Sequence, residues 1–208
     1  LVTRVAGIAY LDFMATGAAA NAVLLTGLMG GAMNGFFRRT GEQTYEGVLS
    51  TSADVTDIIT GESAWIALRA AAVTFTTLVV AAIFGVEVRA TVVWAPLLGF
   101  ASGFGFACLG AAIGARLRSD QQFEVVTAVA FAPMFVISAT FFPLETAPAW
   151  LRWPALLSPL THVVRLLRAA AFGGTTAAMV LVHGLVLVGF VALAWLVAVR
   201  SLRSALVK

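Results

Sequence analysis

The sequence predicts an all-α integral membrane protein, a polytopic helical bundle of about five spans, on three observations. Hydrophobic residues make up 61% of the 208 and charged residues only 11%, against roughly 25% charged in an average soluble domain. The mean hydropathy is +0.98. Several stretches are apolar all round, where a helix at a water boundary would show a polar face at helical spacing.

A helix needs about 20 predominantly apolar residues to cross hydrocarbon, and five segments qualify. The first runs from about Phe13 to Phe37 and holds no ionisable group; the second, Ala64 to Val86, carries Arg69 near its start. The third, Thr91 to Ala115, and the fifth, Ala177 to Val199, hold no acidic residue, Lys or Arg. The fourth, Val125 to Phe142, is shorter and contains Pro133. In hydrocarbon every backbone N–H and C=O must be bonded internally, so these runs are helices rather than open strands.

Orientation follows from the basic residues in the connections. Arg38, Arg39, Arg116, Arg118, Arg200, Arg203 and Lys208 fall on one side, and Arg4, Arg89, Arg152, Arg165 and Arg168 on the other. Arg69 can snorkel toward the first set. That set is therefore expected in the cytoplasm, together with the C-terminus, in a multi-pass protein of the inner or plasma membrane. Five spans then put Leu1 outside, which implies one further span upstream and six in all. The formal net charge of +3 does not point to nucleic acid, because the basic residues are scattered at span ends rather than clustered on a solvated face.

Two segments are neither spans nor simple turns. In the expected cytoplasmic stretch 38–62, Thr40 with Gln43 and Thr51 with Asp54 have capping-box spacing. Two short helices are predicted, about 41–49 and 52–60, with a break at Ser50 to Ser52. In the second, Val55, Ile58 and Ile59 share one face, and Asp54 and Asp57 another. Two readings stand: a helix on the membrane surface offering its polar face to a soluble partner, or a solvated loop. The other segment, 143–173, has prolines at 143, 148, 154 and 159, which rule out one continuous helix and predict two short helices dipping into the outer leaflet. Trp150 and Trp153 suit the headgroup level. On the second helix Thr161, His162, Arg165 and Arg168 share a face, opposite Val163, Val164, Leu166, Leu167 and Ala170.

Several chemistries find no residues. The only Lys is Lys208, so no phosphate-binding loop with its Lys exists here. The single cysteine, Cys108, excludes an internal disulfide and a cysteine metal site. His162 and His183 are distant in sequence and lack neighbours at zinc spacing. Carboxylates deep in a span, the usual mark of ion coupling, are missing; His183 is the one candidate, against the commoner case of a histidine bonded to a neighbouring helix. No catalytic cluster or metal site is expected. Gly31/Gly35, Gly99/Gly103 and Gly110/Gly114 have the spacing that lets helix backbones approach closely. Asn21, Thr26, Ser138 and Thr140 are polar groups inside spans, each needing another helix or a substrate path as partner.

The two unusual segments together resemble the type-2 ABC exporter permeases, most closely the subgroup of nodulation-factor and daunorubicin-type exporters. The outer resemblance rests on Phe141-Phe142-Pro143-Leu144, Pro148-Ala149-Trp150, Pro159-Leu160-Thr161, and Arg165 and Arg168 leading to Gly173. The inner one rests on Glu42, Gln43, Thr44, Glu46 and Leu49, closing with Gly61-Glu62. The likeness spans nearly the whole chain and departs from the family in lacking its first span and in having Ser52 where a Pro is common. It implies one transmembrane domain over 1–208 that binds no cofactor itself, two such permeases paired around a path, and soluble ABC ATPase subunits carrying ATP and Mg. Residues 38–62 would couple to the ATPase, with Asp54 and Asp57 meeting basic groups. Residues 143–173 would form the outer gate, and the first and fourth spans would contribute to the path. The cargo would be an amphipathic drug, a lipid, or a lipid-linked sugar or oligosaccharide moved outward. The competing reading is a stand-alone secondary transporter or channel working through a group such as His183.

Overall fold

The computed structural model describes residues 4–5, 8–40, 44–138, 140 and 148–206. A two-residue antiparallel pair, β1 (Arg4–Val5) and β2 (Ile8–Ala9), precedes α1 (Tyr10–Met33), which runs on through a π-helical turn at Asn34–Arg38. Then come α2 (Thr44–Leu49), α3 (Val55–Ile83), a 3₁₀ turn at Ala90–Trp94 leading into α4 (Ala95–Gly114), and α5 (Asp120–Ile137). α6 (Ala149–Leu157), α7 (Pro159–Phe172) and α8 (Ala177–Leu206) complete the described chain. It is an all-α, multi-pass membrane protein.

Among the described residues, four helical stretches are long and apolar enough to cross a membrane: Tyr10–Arg38, Val55–Ile83, Ala90–Gly114 and Ala177–Leu206. The predicted fourth span differs. α5 has 18 residues and opens on the polar run Asp120-Gln121-Gln122, with Glu124 following. Its apolar part, from Val125 to Ile137, extends only about 20 Å at the helical rise, short of a hydrocarbon core of roughly 30 Å. Phe141 and Phe142, which would lengthen it, lie outside the described residues. The expected helix at 52–60 is also revised: it has no end of its own but forms the first turns of α3.

α4 is the centre of the bundle. It packs against α1, α3, α7 and α8, and it can do so because its buried positions are mostly Gly, Ala, Ser and Cys. A Cβ on Gly110 would collide with the carbonyl of Leu28 in α1, and one on Gly31 with the carbonyl of Ala107 in α4. The third glycine pair serves α3, since Gly103 lies against Ala70 and Gly99 against Thr74. The glycine spacings are thus used for packing within the chain. Between lipid-facing helices there is no hydrophobic driving force, so such close van der Waals approach is what holds them.

The core has two parts. Toward the α6–α7 hairpin, Leu24, Leu28, Phe106, Leu160 and Leu167 are fully buried together. At the opposite end Tyr45, Val55, Ile59, Cys108, Ala198 and Leu202 form a second cluster. The arginines divide between the same two ends: Arg38 pairs with Glu62, Arg39 bonds the Leu117 carbonyl and Arg203 pairs with Asp54, whereas Arg89, Arg165 and Arg168 belong to the hairpin end. Arg69 is exposed on α3, about 10 Å beyond Glu62 along the helix.

Gly110→Val should therefore force α1 and α4 apart and lower stability by about 1–3 kcal/mol or more. Gly184→Ala on α8, where an added Cβ meets no atom within 4 Å, should be neutral or stabilising by up to about 1 kcal/mol. Thermal unfolding of the detergent-solubilised variants measures both.

Candidate functional site

At the arginine-rich end the chain leaves α1 through its π-helical turn and returns into α3 by way of α2. Tyr45 of α2 is 2% exposed, and its hydroxyl lies 2.7 Å from Glu62 Oε2 of α3 and 3.0 Å from the Asn34 carbonyl in the π-helical turn. Arg38 completes the group, donating to Glu62 Oε1 at 2.8 Å. One buried phenol thus ties α2 to both of the spans that flank it. π-helical turns carry a backbone carbonyl out of the regular ladder and recur at functional sites; here the Asn34 carbonyl receives the tyrosine. Composition and spacing missed this, because Tyr45 sits in a polar stretch and its partners lie 11 and 17 residues away. The available signal was an aromatic ring alone among Thr, Glu and Gly.

α3 begins on a capping box, though three residues later than the sequence suggested. Asp54 Oδ1 accepts from the Val55 amide at 2.7 Å, and Asp57 Oδ2 accepts from the Asp54 amide at 2.9 Å. Thr51 is instead part of the preceding turn, donating to the Val48 carbonyl. Thr40 donates to the Phe36 carbonyl, and Gln43, like Glu42, lies outside the described residues. Thr44 and Glu46 are placed on α2 by their backbone, and Leu49 packs beside the inner core. Val55, Ile58 and Ile59 do share a buried face, but α4 and α8 cover it rather than lipid. Asp54 and Asp57 are exposed opposite them, and Asp54 also receives Arg203 of α8 at 3.0 Å. The Val55 amide above all, with Thr56 and Arg203, holds the Asp54 carboxyl below its ordinary value of 3.8.

At the other end α6 and α7 form the predicted pair of short helices. Trp150 and Trp153 are each 74% exposed, while α7 is wedged between α1 and α8. Phe142 and Pro143 lie outside the described residues. Pro159 opens α7, and Gly173 closes it with φ +72°, a conformation that favours glycine; a side chain there would also strike the Arg89 guanidinium. The two arginines of α7 reach different neighbours. Arg168 stacks over the Phe13 ring at 3.7 Å and donates to Thr16 Oγ1 at 3.3 Å and to the Thr140 carbonyl at 3.4 Å, which joins α7 to α1 and to the segment after α5. Arg165 turns to α8.

There the histidines that are distant in sequence meet. His162 Nδ1 and His183 Nδ1 are 2.8 Å apart, His162 Nε2 is 3.0 Å from the Leu156 carbonyl, and Arg165 Nη1 is 3.5 Å from His183 Nε2. Arginine only donates, so His183 accepts at Nε2 and carries its proton on Nδ1. His162 accepts that proton's bond at Nδ1 and donates from Nε2 to Leu156. Every group in the row has its complement, and α6, α7 and α8 are joined by it.

Of the span polar groups, two are hydrogen-bonded through their side chains. Ser138 Oγ bonds the Met134 carbonyl and lies 2.6 Å from Ser158 Oγ. Thr140 donates to the Phe135 carbonyl. Thr26 is half-buried. Asn21 is buried with neither side-chain atom bonded among the described residues, as is Thr161 Oγ1. No cluster of three metal-binding side chains occurs among the described residues.

The ABC-2 type transporter family matches residues 2–172. The chain belongs to that family. It is a permease, the membrane domain of an ABC-type transporter. Its relatives include Nodulation protein J of Rhizobium leguminosarum bv. viciae, 28% identical over 208 residues, covering 100% of this chain and 80% of the relative. Nodulation protein J of Rhizobium leguminosarum bv. trifolii is 30% identical over 173 residues, and that of Rhizobium meliloti strain 1021 is 27% identical over 173 residues. Each alignment covers 83% of this chain and 66% of the relative. No solved structure matches the chain.

Two measurements test this geometry. Nitrogen-15 spectra of labelled histidine should show the Nδ1–H form for His183 and the Nε2–H form for His162; two Nε2–H rings would contradict the row. The Asp54 cap should contribute fully above pH 3.8 and fade as the pH falls below it, since its carboxyl is held low in the fold. At neutral pH Asp54→Ala should accordingly speed amide exchange in the first turn of α3, and Asp54→Asn, which still caps, should not.

Proposed function

We propose that this permease is one half of an ATP-driven exporter. Two copies, or this chain and a related one, would enclose a path across the cytoplasmic membrane, and separate ABC ATPase subunits would hold ATP and Mg and supply the energy. The observation that carries the reading is the Tyr45–Glu62–Asn34 junction. A soluble subunit pressing on α2 moves a phenol held by both α1 and α3, so force delivered at the membrane surface enters two spans at once. Asp54 and Asp57 stand exposed beside it as contacts for basic groups on the ATPase. On this reading the arginine-rich end and the C-terminus would lie in the cytoplasm, which the excess of Arg at that end supports.

The hairpin of α6 and α7 would then close the outer side. Its bonds to α1 through Arg168 and to α8 through the histidine row give it attachments that can be exchanged when the spans move. Cargo would be amphipathic, a drug, a lipid or a lipid-linked oligosaccharide. The support is the scarcity of ionisable groups inside the bundle together with the relatives' printed name, which links them to nodulation. Asn21, Thr26, Ser138 and Thr140 are the polar groups proposed for the path.

A Walker-motif ATPase should co-purify with the full-length chain, and export should need ATP. Export that persists in ATP-free vesicles under an ion gradient would favour a secondary transporter instead. Asp54→Asn with Asp57→Asn keeps the caps but removes both charges, and should reduce export per ATP hydrolysed by about five-fold or more, the effect of one to two charge-assisted contacts. An unchanged ratio would remove these carboxylates from the coupling surface.

A further inference from the structure

The described helices leave a groove where α5 stands off α4 and α8. It has a volume of about 270 Å³, its walls include Leu109, Ile113, Val126 and Val197, and at its mouth, at the arginine-rich end, is Arg116. Leu109 also lines a second groove, of about 310 Å³, which continues along α4 and α5 to Pro154 and Ser158 of the hairpin. From Arg116 to Leu109 the wall runs about 10 Å along α4.

The charge at the mouth is unbalanced. Among the described residues the ion pairs at this end are Arg38 with Glu62 and Arg203 with Asp54; Arg116, Arg118 and Arg200 have none. Arg39 bonds the carbonyl of Leu117, the residue beside Arg116 on the groove wall, and its Nε is buried with no partner among the described residues. The carboxylates nearest in sequence, Asp120 and Glu124 on the first turns of α5, form no ion pair with these guanidinium groups among the described residues. An apolar slot ending in the guanidinium group of Arg116, which forms no ion pair among the described residues, matches a molecule with a hydrocarbon tail and an anionic head. Basic pockets between spans hold lipid headgroups by the same combination.

We infer that this groove binds one anionic phospholipid, with its phosphate on Arg116 and an acyl chain against Leu109, Ile113, Val126 and Val197. All of the groove's walls belong to this one chain, so the proposal does not depend on the exporter reading.

The test is native mass spectrometry of the full-length chain, solubilised and incubated with dioleoyl phosphatidylglycerol or dioleoyl phosphatidylcholine. The unmodified protein should retain the anionic lipid about five-fold more, which is what one basic residue contributes at an anionic surface. Arg116→Gln should abolish the preference, while Arg116→Lys and Arg118→Gln keep it. Val126→Trp should lower retention of both lipids by filling the slot. Equal retention of the two lipids by the unmodified protein overturns the proposal, and that comparison needs no variant to fold. So does a preference that survives Arg116→Gln. A change of oligomeric state in Val126→Trp with lipid retention unaltered would assign the groove to another protein segment and likewise overturn it.

Discussion

Everything in this bundle depends on α4 being thin. A helix with ordinary side chains keeps its neighbours 8–10 Å away, axis to axis. α4 instead presents Gly99, Gly103, Gly110 and Gly114 with intervening Ala, Ser and Cys, so α1 and α3 come close enough for backbone to touch backbone. In lipid this matters more than in water, because removing a leucine from hydrocarbon gains almost nothing. Large residues are instead found on the outward sides of α3 and α8, where Trp65, Phe75, Leu185 and Leu193 are exposed.

Polar contacts between helices gather chiefly at the two ends of the bundle, where several join elements far apart in sequence. Tyr45 and Glu62 knit α2 to α3 and α1, and Trp195 Nε1 donates to Thr60 Oγ1 at 3.0 Å, adding α8. Singly such bonds are modest: a partly exposed pair such as Arg38–Glu62 contributes about 0.2–1 kcal/mol. Their position gives them weight, since they fix where each span begins while the Gly–Ala packing fixes how close the spans lie. At the hairpin end Arg168 and the histidine row do the same for α7, a helix too short to cross the membrane.

Much of this was legible because hydrocarbon imposes a simple rule on sequence. Apolar runs gave the four long apolar helices, two of them close to their limits and two, α3 and α8, shorter than they are, and the prolines and the arginine face gave α6 and α7. The glycine spacings gave the close packing but not its partners. Two features were not legible, each for a physical reason. The polar turns at the head of α3 looked like a separate helix because polar and apolar residues meet at Glu62, although the backbone passes that point unbroken. The meeting of His162 and His183 is set by how α7 leans on α8, and a spacing of 21 residues across two helices encodes nothing by itself.

The unbroken course of α3 has a mechanical consequence. Its 29 residues make a rod of about 43 Å, with its capped end among the proposed coupling residues and its far end beside the 3₁₀ turn that precedes α4. A rod pivoting about the Ala70–Gly103 crossing is a lever. A tilt of about 5° over that length displaces one tip by roughly 4 Å relative to the other, most of a helical turn, with no hydrogen bond in the rod broken. Had the helix broken at Gly61, the same push would have been absorbed in a hinge.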